Sequence, residues 1–212
     1  MNTPNYAGKG YDDVHQKRFE LSLSQIKYNV ETGSHILELG GGGKFTDMLR
    51  AEGYKVSIPF DDYRYAEFTG AYDAVIAMEI VEHLHDQEAN IPTEWRGTGL
   101  DHTLAQCKRA TKPGGWFFCT TPNADSLNVI NKVIHRQAPM VYRPHVREYT
   151  VHELVGAVRK ANFEVTHVET YECWDNSMSP HMRAVITRML MDQLGPHGLD
   201  HRGEDIFLWA RA

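Results

Sequence analysis

The sequence predicts an α/β domain: a doubly wound, mostly parallel sheet covered by helices on both faces. Three observations carry this. Short apolar runs alternate with stretches of helical periodicity along most of the chain. The first apolar run breaks into four consecutive glycines, Gly40–Gly43, with helix-like sequence directly after. And 212 residues suit one domain with a sizeable core.

The elements follow in order. From Tyr11 to Val30, apolar residues recur at helical spacing (Val14, Phe19, Leu23, Ile26), and residues 1–33 are expected to form a helical lid or packing helix before a core at 34–212. His35–Leu39 reads as the first strand. Tyr54–Ile58 reads as the second, closed by Pro59, and Tyr72–Met78 as the third. Gly115–Thr121 is a fourth, introduced by the turn Lys112-Pro-Gly-Gly; Phe163–Tyr171 and Asp205–Ala210 are the last two. Between them lie helical patterns at Thr46–Glu52, Leu100–Ala110, Ser126–His135 and Val151–Ala161. Thr150 and Glu153 form a T-x-x-E capping box, so their presence is explained by a helix start.

Strand, glycine turn and helix together make a ligand-binding turn. A backbone without side chains lets a ligand approach the main chain and meet the free N–H groups of the helix start. Counting excludes two phosphate loops. A G-x-G-x-x-G fingerprint begun at Gly40 or Gly41 requires glycine at Phe45 or Thr46. A P-loop ending at Gly43-Lys44 requires Ser or Thr at Phe45 and glycine at Glu38. What remains is acid-x-Gly-x-Gly, Glu38-Leu-Gly40-Gly41-Gly42.

Composition narrows the setting. The formal charge of −6 does not suggest a polyanion-binding surface, so nucleic acid is a disfavoured partner. No run approaches eighteen apolar residues, so no membrane span is expected, and the first ten residues have no signal-peptide core. Cys107, Cys119 and Cys173 are odd in number and widely spaced, which points to a reducing cytoplasm.

The acid-x-Gly-x-Gly loop resembles the first motif of the class I S-adenosylmethionine-dependent methyltransferases. Further segments resemble the same family in order: Tyr72–Leu84 with its E-x-x-E-H string, Cys107–Trp116 with Lys-Pro-Gly-Gly, Thr120–Asn123, Pro144–Thr150 and Arg202–Phe207. The later ones are similar to ubiquinone-biosynthesis-like and glycan-associated members. The resemblance implies a Rossmann-like sheet of six to seven strands with an antiparallel last strand, and S-adenosylmethionine as cofactor. It also implies cofactor contacts at Glu38, Gly40, Gly41, Gly42, Met78 and Glu79, with Asp61, or else Asp62, gripping the ribose. Only about ten residues separate Asp61-Asp62 from Tyr72, too few for the helix and strand the family usually places there.

Glu79, Glu82 and His83 stand at i, i+3 and i+4 after the third strand, and a helix starting there would put them on one face. With His145 from a later loop they form a candidate site for Mg²⁺ or Mn²⁺. The set resembles that of metal-dependent RNA 3′-terminal 2′-O-methyltransferases. His83 and His145 are the candidate catalytic groups, His83 as base toward a hydroxyl. The expected acceptor is a small molecule or glycan. Trp95 and the loop 136–144 are candidate lids over it.

Overall fold

The computed structural model describes residues 10–59, 62–84, 99–142, 145–174 and 178–212. A six-stranded sheet runs in the order β2-β1-β3-β4-β6-β5. The strands are β1 (His35–Leu39), β2 (Lys55–Ser57), β3 (Tyr72–Met78), β4 (Thr111–Pro122), β5 (Glu164–Tyr171) and β6 (Asp205–Arg211). β2, β1, β3 and β4 are parallel; β6 runs antiparallel to both β4 and β5. The count falls at the lower end of the expected six to seven, and β2 is left as the edge strand beside β1.

The helices are α1 (Tyr11–Asn29), α2 (Lys44–Ala51), α3 (Leu100–Ala110), α4 (Leu127–Ile134), α5 (Val151–Lys160) and α6 (Pro180–Leu194). Successive strand residues point to opposite faces, so a strand buried on both sides must be apolar throughout. The neighbours Ile36/Leu37, Ile76/Val75 and Phe118/Phe117 divide accordingly between two clusters. Ile36, Ile76 and Phe118 meet Phe19 and Ile26 of α1 and Phe45 and Leu49 of α2. Leu37, Val75 and Phe117 meet Leu104 and Cys107 of α3 and Leu154 and Val158 of α5. A third cluster joins α4 to α6 through Leu127, Ile186 and Leu190.

The sequence boundaries hold to within a few residues, with three differences. β4 begins at Thr111 instead of Gly115 and takes in the stretch Lys112-Pro-Gly-Gly that was expected to be a turn. α2 begins at Lys44, directly after Gly43, instead of Thr46. α6 was not anticipated. Ser179 caps it by accepting the Met182 N–H, and Pro180 fills the first turn, where no N–H is needed.

Beyond its start, α1 is a docked element of one helical layer rather than a loose lid. Trp209 Nε1 donates to Gln25 Oε1 (2.7 Å), Lys44 Nζ to Gln16 Oε1 (2.7 Å) and Trp174 Nε1 to His15 Nδ1 (3.0 Å). The last bond needs an unprotonated ring nitrogen. Burial, then the nearby Arg18 cation, lowers the His15 pKa from 6.5 to about 3. Unfolding therefore takes up a proton at any pH between those values. His15 stabilises the fold fully above pH 6.5, and this contribution drains away as the pH falls toward 3. His15→Gln, whose amide oxygen still accepts from Trp174, is expected to flatten the loss of stability between pH 6.5 and 4 in urea titrations. An unchanged slope would place the acid sensitivity elsewhere.

Candidate active site

In an open parallel sheet, ligands bind beyond the carboxyl ends of the strands, where the strand order reverses. Here that point lies between β1, which continues to β2 on one side, and β3 on the other. The glycine turn leaves β1 at this crevice, and Glu79 leaves β3.

Gly40 and Gly42 have φ of +73° and +105°, a region that favours glycine. A Cβ on Gly40 would run into the Ile80 side chain, and one on Gly41 would lie 2.7 Å from Glu38 Oε2. Above Gly42 and Gly43 a Cβ would meet nothing, so the turn is a cradle open toward a ligand. A short relay holds its shape. The Gly42 N–H donates to Thr46 Oγ1 (2.7 Å), and Thr46 Oγ1 donates to Glu38 Oε2 (2.6 Å). Glu38 is buried, which pushes its pKa up, and the Thr46 bond opposes that. On the other side the Gly40 N–H donates to the Tyr63 hydroxyl (2.8 Å), which donates to the Pro59 carbonyl (3.1 Å).

Glu79 turns the chain sharply, with φ +54°, a conformation that costs a residue with a side chain about 1–2 kcal/mol. Its contacts enforce the turn. Its N–H donates to the Thr120 carbonyl (2.9 Å), Thr120 Oγ1 donates to Glu79 Oε1 (3.0 Å), and Arg18 Nη1 lies 2.9 Å from Glu79 Oε2. The Arg18 side chain is only 2% exposed. Burial works against its charge, but Glu79 and Asp205 outweigh that and hold its pKa above the usual arginine value.

The expected helix after β3 is a single 3-10 turn, Val81–His83. Glu79 therefore does not share a face with Glu82 and His83, and its carboxylate is committed to Arg18 and Thr120. The other three candidate metal ligands do meet: one ligand atom each of Glu82, His83 and His145 lies within 4.8 Å of the others. Glu82 Oε1 is 3.9 Å from His83 Nε2 and 3.9 Å from His145 Nε2. It has no hydrogen-bond partner among the described residues, whereas Oε2 accepts from Thr121 Oγ1 (2.9 Å). Burial, then the Glu79 charge, pushes the Glu82 pKa well above the usual carboxylate range. Burial, then His145, lowers that of His83, whose side chain is 48% exposed and reachable from solvent. The rings of His83 and His145 meet edge to face, 4.9 Å between centroids.

The remaining expectations fare unevenly. Met78 is half-buried and packs into the cluster beneath α1. Asp62 is exposed and bound by the Arg64 guanidinium, whose Nε donates to Oδ1 at 2.9 Å; this lowers its pKa to about 2. It closes a local turn, and the neighbouring Tyr63 is the residue that reaches the glycine loop. Asp61 and Trp95 lie outside the described residues, as do 143–144 of the second candidate lid. Sequence reasoning missed Arg18, Tyr63 and Thr120. Nothing local in the sequence marks Arg18, which lies on the buried face of α1 beside Phe19 and Ser22.

Comparison with known proteins places this geometry. A methyltransferase-domain family matches residues 14–168. The ubiquinone biosynthesis O-methyltransferase of Xanthomonas oryzae pv. oryzae is 28% identical over 158 residues, covering 68% of this chain and 60% of that protein. The chain spans from about a fifth to three fifths of the length of the curated relatives it matches. A solved complex of the Haloferax volcanii Trm112 methyltransferase activator with a methyltransferase superposes with a TM-score of 0.63 at 18% identity, covering 98% of this chain and 94% of the matched one. An S-adenosylmethionine-dependent methyltransferase from Archaeoglobus fulgidus gives 0.59 at 17% identity, covering 95% and 98%. At such identities these structures speak for the fold alone. Among the described residues no helix is long and apolar enough to cross a membrane. With the family match spanning most of the chain and an open glycine cradle at the reversal point of the sheet, this protein belongs to the class I S-adenosylmethionine-dependent methyltransferases.

Proposed function

We propose that the chain methylates a hydroxyl group of a small-molecule or sugar-like acceptor, with the Glu82–His83–His145 cluster as the acceptor's seat. The observation that carries this is His83: a half-exposed imidazole with a lowered pKa, close to Glu79 at the edge of the proposed cofactor crevice. An imidazole neutral at physiological pH can take a proton from a hydroxyl, and a hydroxyl needs that help far more than a neutral amine does.

The cradle suits the cofactor: there is open space above Gly42 and Gly43, and the Gly40 and Gly42 N–H groups are already held by Tyr63 and Thr46, which leaves fewer donors for a phosphate. When bound, S-adenosylmethionine supplies an electrophilic methyl group on a sulfonium. The chain's own residues do the rest. Gly40–Gly43 line the cofactor's seat, and the Glu38–Thr46 relay keeps that seat in shape. The Arg18–Glu79 pair, braced by Thr120, holds the turn after β3 in shape beside that seat. Asp61 remains the proposed ribose contact. His83 removes the hydroxyl proton, and His145 closes the seat from the far loop.

A second reading is favoured by one atom. Glu82 Oε1 is fully buried, has no hydrogen-bond partner among the described residues and is equidistant from two imidazole Nε2 atoms. One carboxylate and two imidazoles make a donor set suited to a divalent transition metal; with Glu79 committed elsewhere, Mn²⁺ fits it better than Mg²⁺, which prefers oxygen ligands. Such an ion would hold two adjacent acceptor hydroxyls and acidify one of them. Vicinal diols, including an RNA 3′-terminal ribose, then become acceptors. The acidic chain weighs against the RNA case.

The test is release of S-adenosylhomocysteine with panels of monohydroxyl, vicinal-diol and amine acceptors, with and without EDTA and added Mg²⁺ or Mn²⁺. Turnover of a hydroxyl acceptor, falling about 100-fold or more in His83→Ala with cofactor affinity intact, is the expected result. Methylation of amines alone would sink the hydroxyl reading. Activity on diols unaffected by EDTA would sink the metal.

A further inference from the structure

His145 stands on a segment fastened from several directions. The N–H groups of Val146 and Arg147 donate to the Glu82 carbonyl (3.0 and 3.2 Å), stapling the segment to the 3-10 turn that carries His83. The loop before it is braced by Lys132 of α4, whose ammonium donates to the carbonyls of Met140 (2.6 Å) and Val141 (2.9 Å). The Glu148 carboxylate, 1% exposed at its side chain, joins these parts. It accepts the N–H of Val141 (2.8 Å at Oε1, 2.7 Å at Oε2) and of Tyr142 (3.0 Å), and it lies 2.7 Å from His145 Nδ1.

The backbone partners of Glu148 are all donors, so its oxygens act as acceptors. The ring proton of His145 must then sit on Nδ1, and the Nε2 lone pair faces Glu82 and His83. We propose that Glu148 is a positioning residue of the transfer reaction: it fixes His145 as the Nδ1–H tautomer and ties that ring to the 135–142 loop. The seat of the loop and the presentation of Nε2 to the acceptor are thereby set by one carboxylate. A buried carboxylate that served only to brace the loop would have no need of the imidazole, and Lys132 already supplies a brace from the other side. The kinetic consequence rests on the proposed hydroxyl transfer; the tautomer does not.

Nitrogen-15 spectra of the full chain labelled at histidine test this directly. The wild type is expected to show His145 protonated at Nδ1 and bare at Nε2, a readout that needs no variant. Glu148→Ala is expected to shift His145 toward the Nε2–H form and lower kcat by about 10- to 100-fold, with cofactor Kd within about twofold of wild type. Lys132→Met, which loosens the same loop without touching the ring, is expected to raise the acceptor KM and keep the wild-type tautomer. An Nε2–H signal in the wild type would overturn the proposal, and so would an unchanged tautomer in Glu148→Ala. The expected tautomers in a protein that turns over no hydroxyl acceptor would uphold the role of Glu148 in orienting His145 and refute the proposed function instead.

Discussion

Arg18→Leu is expected to cost about 3–5 kcal/mol of stability, the usual penalty for removing one partner of a buried ion pair. The cost comes from what is left behind. Arg18 is the cation facing Glu79 at 2.9 Å, and it also favours the charge of the fully buried Asp205 and of Glu82. These three acids sit at the edge of the sheet where the parallel strands end and antiparallel β6 begins, close enough that Glu79 pushes up the pKa of both others. Without Arg18 the carboxylates must protonate, or stay ionised in a medium that solvates them poorly. In a chain of 212 residues the loss corresponds to a fall in Tm of roughly 10 °C. Urea unfolding at pH 7 gives the free energy. Arg18→Lys keeps a cation but not the planar fork, and should recover part of it. Adding Glu79→Gln to Arg18→Leu should recover part as well, because the stranded charge is gone. A loss below about 1 kcal/mol would mean the pair behaves as an exposed surface bridge does. Cofactor affinity is expected to fall in the same variant, because Arg18 holds the Glu79 turn that borders the proposed cofactor seat.

How much of this was legible beforehand depended on whether the governing interaction was local. β1 and β3 came out at the predicted residues because apolar runs buried on both faces leave a plain trace, and α3 because its buried residues recur at helical spacing. The glycine turn was legible because its left-handed positions, Gly40 and Gly42, favour glycine. The shortened sheet was legible by counting the residues between Asp62 and Tyr72. α6 was not. Val185, Met189, Met191 and Leu194 are apolar yet exposed, so its stripe has no clean polar side to define it.

The site divides the same way. Glu82 and His83 are neighbours in sequence, and His145 was drawn in by resemblance; the fold unites them. Glu79 was misplaced because a helical spacing was extended across a residue whose φ is positive. That conformation is imposed by Thr120 and Arg18, 41 residues later and 61 earlier, and no local pattern encodes it. Arg18 itself reads as one more solvated charge on an N-terminal helix. Only the sheet beneath it shows the carboxylates it meets.

Gly42→Asp is expected to weaken S-adenosylmethionine binding by about 100-fold or more, equivalent to about 2.7 kcal/mol. Two effects add. The φ of +105° strains any residue with a Cβ by about 1–2 kcal/mol, which the loop can relieve only by turning its N–H away from Thr46. The new side chain then fills the open space above the turn, where the cofactor's backbone would lie. Stability should fall by no more than the strain, because Gly42 is exposed and its Cβ would touch nothing in the unliganded fold. Gly41→Ala separates the two contributions. Its Cβ would press on the Glu38 carboxylate at 2.7 Å, so it should disturb the Glu38–Thr46 relay and the stability without occupying the cradle. Calorimetric titration with cofactor, beside urea unfolding of both variants, distinguishes them. Full affinity in Gly42→Asp would mean that the cofactor does not pass over this turn, and the cradle would need another ligand.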